Sequence, residues 1–216
     1  MKDTFLQKHA DFFLLFVMFA FPPVLNSKTS SYSASMPVLM LLVYTAVCIY
    51  ILCKTKFKKS DFTKFSFLSS AILLISLFIN GAVWNLISSL FVDSQEDIQR
   101  IMPDNLLEKL YVGLSIFVSA LYEELLYRQF LPDGAVSIIS QSAQSVISPT
   151  VLRFASEIVI IAIFALGHRY LGGWAVVNAL CAGVMLRIFC IRTGSFLSGF
   201  IAHYVYNMIV FFLFLQ

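Results

Sequence analysis

Glu123, Glu124, Arg128, His168, His203 and Asn207 are the side chains of this chain best placed to do chemistry, because each interrupts or ends a long apolar run. At the centre of a membrane helix an ionisable residue costs about 2.5–3.5 kcal/mol on insertion scales, so such residues persist where they are paired or used. In Tyr122-Glu123-Glu124-Leu125-Leu126-Tyr127-Arg128, Glu124 and Arg128 stand four apart on one helix face, the spacing of an ion pair. Glu123 lies about 100° around the helix and has no partner in the sequence. A lone carboxylate in a low dielectric suits the work of a general base. His168 closes the run Phe164-Ala165-Leu166-Gly167, where a single histidine is ordinarily an interfacial residue. His203 and Asn207 project from one face of the last apolar run, where such a pair ordinarily hydrogen-bonds helix to helix. Taken together, Glu, His, His and Asn are a hydrolytic set. Carboxylate and imidazole activate water, while imidazole and carboxamide donate to a tetrahedral oxyanion.

The elements that must hold these groups follow from composition. The chain has 216 residues, 59% hydrophobic and 12% charged, with a mean hydropathy of +0.85. A soluble domain carries about 25% charged residues, so this surface faces lipid. The expected fold is all-α, a polytopic transmembrane bundle forming one membrane domain over 1–216, with the catalytic half at about 106–216. About seven spans are expected, at 11–25, 36–53, 66–91, 106–131, 151–168, 172–191 and 195–215. Pro22-Pro23 ends or kinks the first of them. Pro132–Thr150, uncharged apart from Asp133 and rich in Ser and Gln, reads as a loop or, preferably, a short helix in the interface. These boundaries set Glu123 and His168 roughly 15 Å apart in depth at 1.5 Å rise per residue, so one of them must be displaced if both serve one water.

Loop charges give the orientation. With the N-terminus cytoplasmic, the inner side receives Lys2, Lys8, the Lys54–Lys64 cluster, Arg128, Arg153, Arg187 and Arg192. The outer side receives Lys28, Asp93, Glu96, Asp97 and Asp104. A net charge of +3 does not point to nucleic acid. Cys48, Cys53, Cys181 and Cys190 form no CxxC pair and read as buried reduced thiols.

The order EExxxR, FxxxH, HxxxN, here Glu123-Glu124…Arg128, Phe164…His168 and His203…Asn207, resembles the CPBP family of CAAX proteases and bacteriocin-processing enzymes, also called Abi. The resemblance runs from Tyr111 to the end, with Gln129 where a glycine commonly follows the arginine. It implies an intramembrane endopeptidase. Glu123 and His168 would activate water, His203 and Asn207 would form the oxyanion hole, and Glu124 and Arg128 would fix the catalytic helix. Family members are described as glutamate-dependent or as metalloproteases. No cofactor is the favoured reading. The alternative is zinc on His168, His203 and Glu123, a His₂Glu set, although no H-E-x-x-H occurs and Asn207 is a poor ligand. The expected partners are the lipid bilayer and a membrane-associated protein or peptide substrate, in a bacterial inner membrane. Competing readings are a non-catalytic membrane protein of the bacteriocin-immunity type and a small proton-coupled transporter. The transporter would more often show duplicated halves.

Overall fold

The computed structural model describes residues 5–55, 67–91, 99–141 and 148–213. Most of the Lys54–Lys64 cluster, and Asp93, Glu96 and Asp97, lie outside the described residues. Among those described, seven apolar helices follow one another: α1 Ala10–Leu25, α2 Val38–Lys54, α3 Phe67–Phe91, α4 Leu106–Gln141, α5 Pro149–Leu166, α6 Gly173–Thr193 and α7 Leu197–Leu213. Four of them, α3 to α6, are long and apolar enough to cross a membrane. The fold is all-α. The exception is a two-residue parallel pairing of Ser31–Tyr32 with Gln99–Arg100, which ties two connections together.

The arrangement inverts that of a soluble bundle. Phe67 and Leu107 are 80% and 78% exposed, whereas Glu124 is wholly buried. Large apolar side chains outside and charge within mean that the outer solvent is hydrocarbon. Helix α7 packs against α3, α4 and α6, α6 also against α3 and α5, and α2 against α4. Helix α4 also packs against α5, and through its middle against α6. Its start is capped by Asn105, whose Oδ1 accepts the Glu108 amide N–H while the Glu108 carboxylate takes the Asp104 N–H.

Two expectations need correction. The segment after the fourth span is helical, as preferred, as far as Gln141, but it is not a separate short helix: Leu131–Gln141 continues α4, which runs for 36 residues. A proline ordinarily ends a helix because it brings no N–H and crowds the carbonyl four residues back. Here a π-helical stretch, Leu125–Phe130, immediately precedes it and absorbs the mismatch. Cys53 is exposed, unlike the buried Cys48 and Cys190.

Helix α1 shows the same local physics. Its π-helical middle, Phe16–Ala20, leads into a 3₁₀ turn at Pro22–Leu25. Pro23 cannot give an N–H to the Phe19 carbonyl, and the Val24 N–H goes to Phe21 instead of Ala20. Both vacant carbonyls are filled from α4, by the Tyr122 hydroxyl to Phe19 O at 2.9 Å and the Tyr127 hydroxyl to Ala20 O at 3.1 Å. Tyr44 of α2 stacks on the Tyr122 ring at 4.1 Å. The residues flanking the two glutamates thus anchor α4 to the first two helices. Replacing Tyr122 and Tyr127 together by Phe should strand both carbonyls at about 1–3 kcal/mol each, read as a lowered unfolding midpoint in detergent. Unchanged stability would mean that water already serves those carbonyls.

Candidate active site

Three helices bring the polar groups together. On α4 the pairs Ser119/Glu123 and Glu124/Arg128 each repeat at four residues and so occupy two adjacent faces. Helix α5 ends at Leu166, and His168 sits in the turn just beyond it, with its Nδ1 on the Phe164 carbonyl at 3.0 Å. Helix α7 places Gly199, His203 and Asn207 along one stripe.

At the centre is Glu124. Its Oε1 meets His203 Nδ1 at 3.0 Å, and its Oε2 lies 3.7 Å from Arg128 Nε. Both Glu124 and Arg128 are essentially inaccessible. The Arg128 guanidinium lies over the Phe164 ring, 4.2 Å from its centroid, which fixes it by cation–π attraction. Glu123 is not partnerless as the sequence implied. Ser119 donates to its Oε1 at 3.1 Å, and His203 Nε2 lies 3.9 Å from its Oε2. The first partner is one turn earlier on the same helix, and the second comes from another helix. At 3.9 Å the last gap is too long for a hydrogen bond and is the kind that water fills.

These contacts assign the imidazole nitrogens. A carbonyl only accepts, so His168 must carry its proton on Nδ1 toward Phe164, which leaves the Nε2 lone pair outward in the neutral ring. His203 likewise commits Nδ1–H to Glu124, so Nε2 is its working atom, a base when neutral and a donor as imidazolium. Glu123, His168, His203 and Asn207 all line one open cavity of about 1980 Å³, together with Ser119, Tyr122, Tyr127 and Phe164. The depth offset expected from the span boundaries does not put Glu123 and His168 in separate compartments. Among the described residues, no three His, Cys, Asp or Glu side chains gather closely enough to hold a metal ion.

Residues 105–209 match the family model for type II CAAX prenyl endopeptidase Rce1-like proteins. Over those residues the chain is similar to that family. No curated protein and no solved structure matches the chain. The matched segment starts at the Asn105 cap of α4 and ends within α7, and it contains every residue of the three motifs. The family and the apolar helices together mark an integral membrane protein.

Sequence reading overlooked a second ion pair, partly buried between helices. Arg187 of α6 donates from Nε to Glu157 Oε2 of α5 at 2.7 Å, with a further contact from Nη2 to Oε1. Glu157, a single carboxylate in the fifth apolar run, was the available signal. Arg128 and Arg187 are therefore not loop charges and drop out of the orientation argument.

Room for Glu124 depends on Gly199. A Cβ at Gly199 would stand 3.1 Å from Glu124 Oε2, a carboxylate already held from two sides, whereas one at Gly113 would meet only Met208 at ordinary contact distance. Gly199→Ala should therefore destabilise the protein by about 1–3 kcal/mol. Gly113→Ala should be near neutral in the same unfolding assay. Equal behaviour of the two would show that Glu124 is free to move.

Proposed function

We propose that the chain is an intramembrane endopeptidase that hydrolyses membrane-associated proteins or peptides with water activated by Glu123 and His168. The observation that carries the reading is the convergence of four costly polar side chains, from α4, the end of α5, and α7, on one cavity inside an apolar bundle. The attacking water sits against Glu123, which lines the cavity. Glu123 takes one of its protons while the His168 Nε2 lone pair orients the other. The resulting hydroxide attacks the scissile carbonyl carbon, and the carbonyl oxygen becomes an oxyanion. His203 as imidazolium, through Nε2–H, and Asn207, through its carboxamide N–H, hold that oxyanion. Collapse breaks the C–N bond, the proton on Glu123 passes to the leaving amine, the remaining hydroxyl proton stays with the new carboxylic acid, and acid and amine depart. No step requires a metal. By the family's description, a prenylated peptide with a CAAX-type C-terminus is the first substrate class to try.

The test is cleavage of a farnesylated fluorogenic CAAX-type peptide by the purified protein in detergent, with and without chelator. Glu123→Gln and His168→Ala should each lose roughly 10²–10⁴-fold, and Asn207→Ala about 10²–10³-fold in turnover, all three remaining folded. A Glu123→Gln enzyme with wild-type turnover would overturn the mechanism. Silencing by chelator and recovery with zinc would keep the endopeptidase and replace the metal-free chemistry.

The same reading places the N-terminus in the cytoplasm of a bacterial inner membrane, because the basic Lys54–Lys64 segment belongs inside. Cysteines introduced into that segment should resist an impermeant thiol reagent applied to intact cells and react in inverted vesicles. Labelling from outside would reverse the orientation.

A further inference from the structure

Pro132 is the single proline within α4 and stands four residues after Arg128. A regular helix would bring the N–H of residue 132 to the Arg128 carbonyl, and proline has none to bring. The π-helical stretch Leu125–Phe130 moves that carbonyl clear of the proline ring. It also turns the carbonyl out of the helix inside an apolar bundle, where lipid offers no donor. Helix α6 supplies two. Arg187 Nη1 donates to Arg128 O at 2.7 Å, and Cys190 Sγ approaches the same atom at 3.8 Å. The rest of the Arg187 fork is held by Glu157 of α5. One guanidinium thus bridges a carboxylate on α5 and a backbone oxygen on α4.

The residue whose carbonyl is held is the one on which both histidines depend. The Arg128 guanidinium faces Glu124, which takes His203 Nδ1–H, and covers the Phe164 ring, whose own carbonyl takes His168 Nδ1–H. A shift of the Arg128 backbone would move both contacts together. We propose that Arg187, braced by Glu157, is a positioning residue of the hydrolytic site. It holds the Arg128 carbonyl of the π turn and so sets the orientation of His203 and His168. It touches neither water nor substrate, and the inference rests on the endopeptidase reading only for its kinetic arm.

The experiment compares the full-length wild type with Arg187→Lys, Arg187→Met and Glu157→Gln in detergent. Two readouts are taken: kcat and KM on the farnesylated fluorogenic peptide, and amide hydrogen exchange across 125–131. Arg187→Met should lower kcat on the order of 10²-fold, the cost of a misplacement near 1 Å, with KM within about twofold because no substrate contact is lost. Exchange should quicken in 125–131 and not in α3. Lysine can reach the carbonyl but cannot fork to Glu157 as well, so Arg187→Lys should recover part of the loss. Glu157→Gln should give a smaller fall in the same direction, and it decides the matter if Arg187→Met does not fold. Wild-type kcat with unchanged exchange in 125–131 for Glu157→Gln and the folded Arg187 variants would overturn the proposal. So would a loss that tracks the folded fraction alone, without rescue by lysine. A wild type inert toward the peptide would count against the endopeptidase reading, and exchange across 125–131 would still judge the clamp.

Discussion

Glu124 is a carboxylate with no access to water, and its two oxygens face different partners, His203 on one side and Arg128 on the other. A charge so placed is tolerable only while both partners stay. Much of the bundle answers to that constraint. Helix α7 must come close enough to offer His203, which requires a residue without a side chain at 199. Helix α4 must keep Arg128 on the face of Glu124, and α5 must lay the Phe164 ring under the guanidinium. Glu123 sits one residue away on a different face, and so it opens to the cavity while its neighbour remains sealed. Adjacent glutamates thereby hold unlike environments, one structural and one available for proton transfer.

A second regularity lies in the main chain. Prolines in membrane helices leave carbonyls without donors, and in hydrocarbon those carbonyls must be met by protein. Pro23 leaves Phe19 O to Tyr122, and the 3₁₀ turn beside it leaves Ala20 O to Tyr127. Pro132 leaves Arg128 O to Arg187. All three bonds involve the stretch of α4 that carries the glutamates. The helix is held at both ends of its reactive segment by bonds to backbone oxygen, which do not vary with side-chain rotamer and so locate the segment tightly.

Much of this was legible in the chain itself. Pairs four apart, Glu124 with Arg128 and His203 with Asn207, fall on one face by helix geometry alone, and the apolar runs mark the helices within a few residues. What escaped has local as well as non-local causes. Ser119 serves Glu123 from the same helix, but a serine in an apolar run carries no signal of its own. Glu157 and Arg187 lie thirty residues apart on different helices, so periodicity could not join them, and each was open to misreading. The continuation of α4 past Pro132 was hidden because the rule that proline ends a helix holds for a regular one, and a π turn evades it.

The open carbonyl of the π turn has a consequence for inheritance. Its oxygen belongs to the main chain, so no substitution at position 128 can take it away; Pro132 brings it no N–H, and Arg187 meets it with Cys190 beside. A descendant that exchanged Pro132 for a residue with an N–H would close its own helix and release the cation on α6 from that duty. A descendant that lost the cation first would leave that acceptor to the weak thiol donor of Cys190 alone. The two positions therefore form an ordered pair in which the proline is free to change before the arginine and not after it, an asymmetry written by one missing hydrogen.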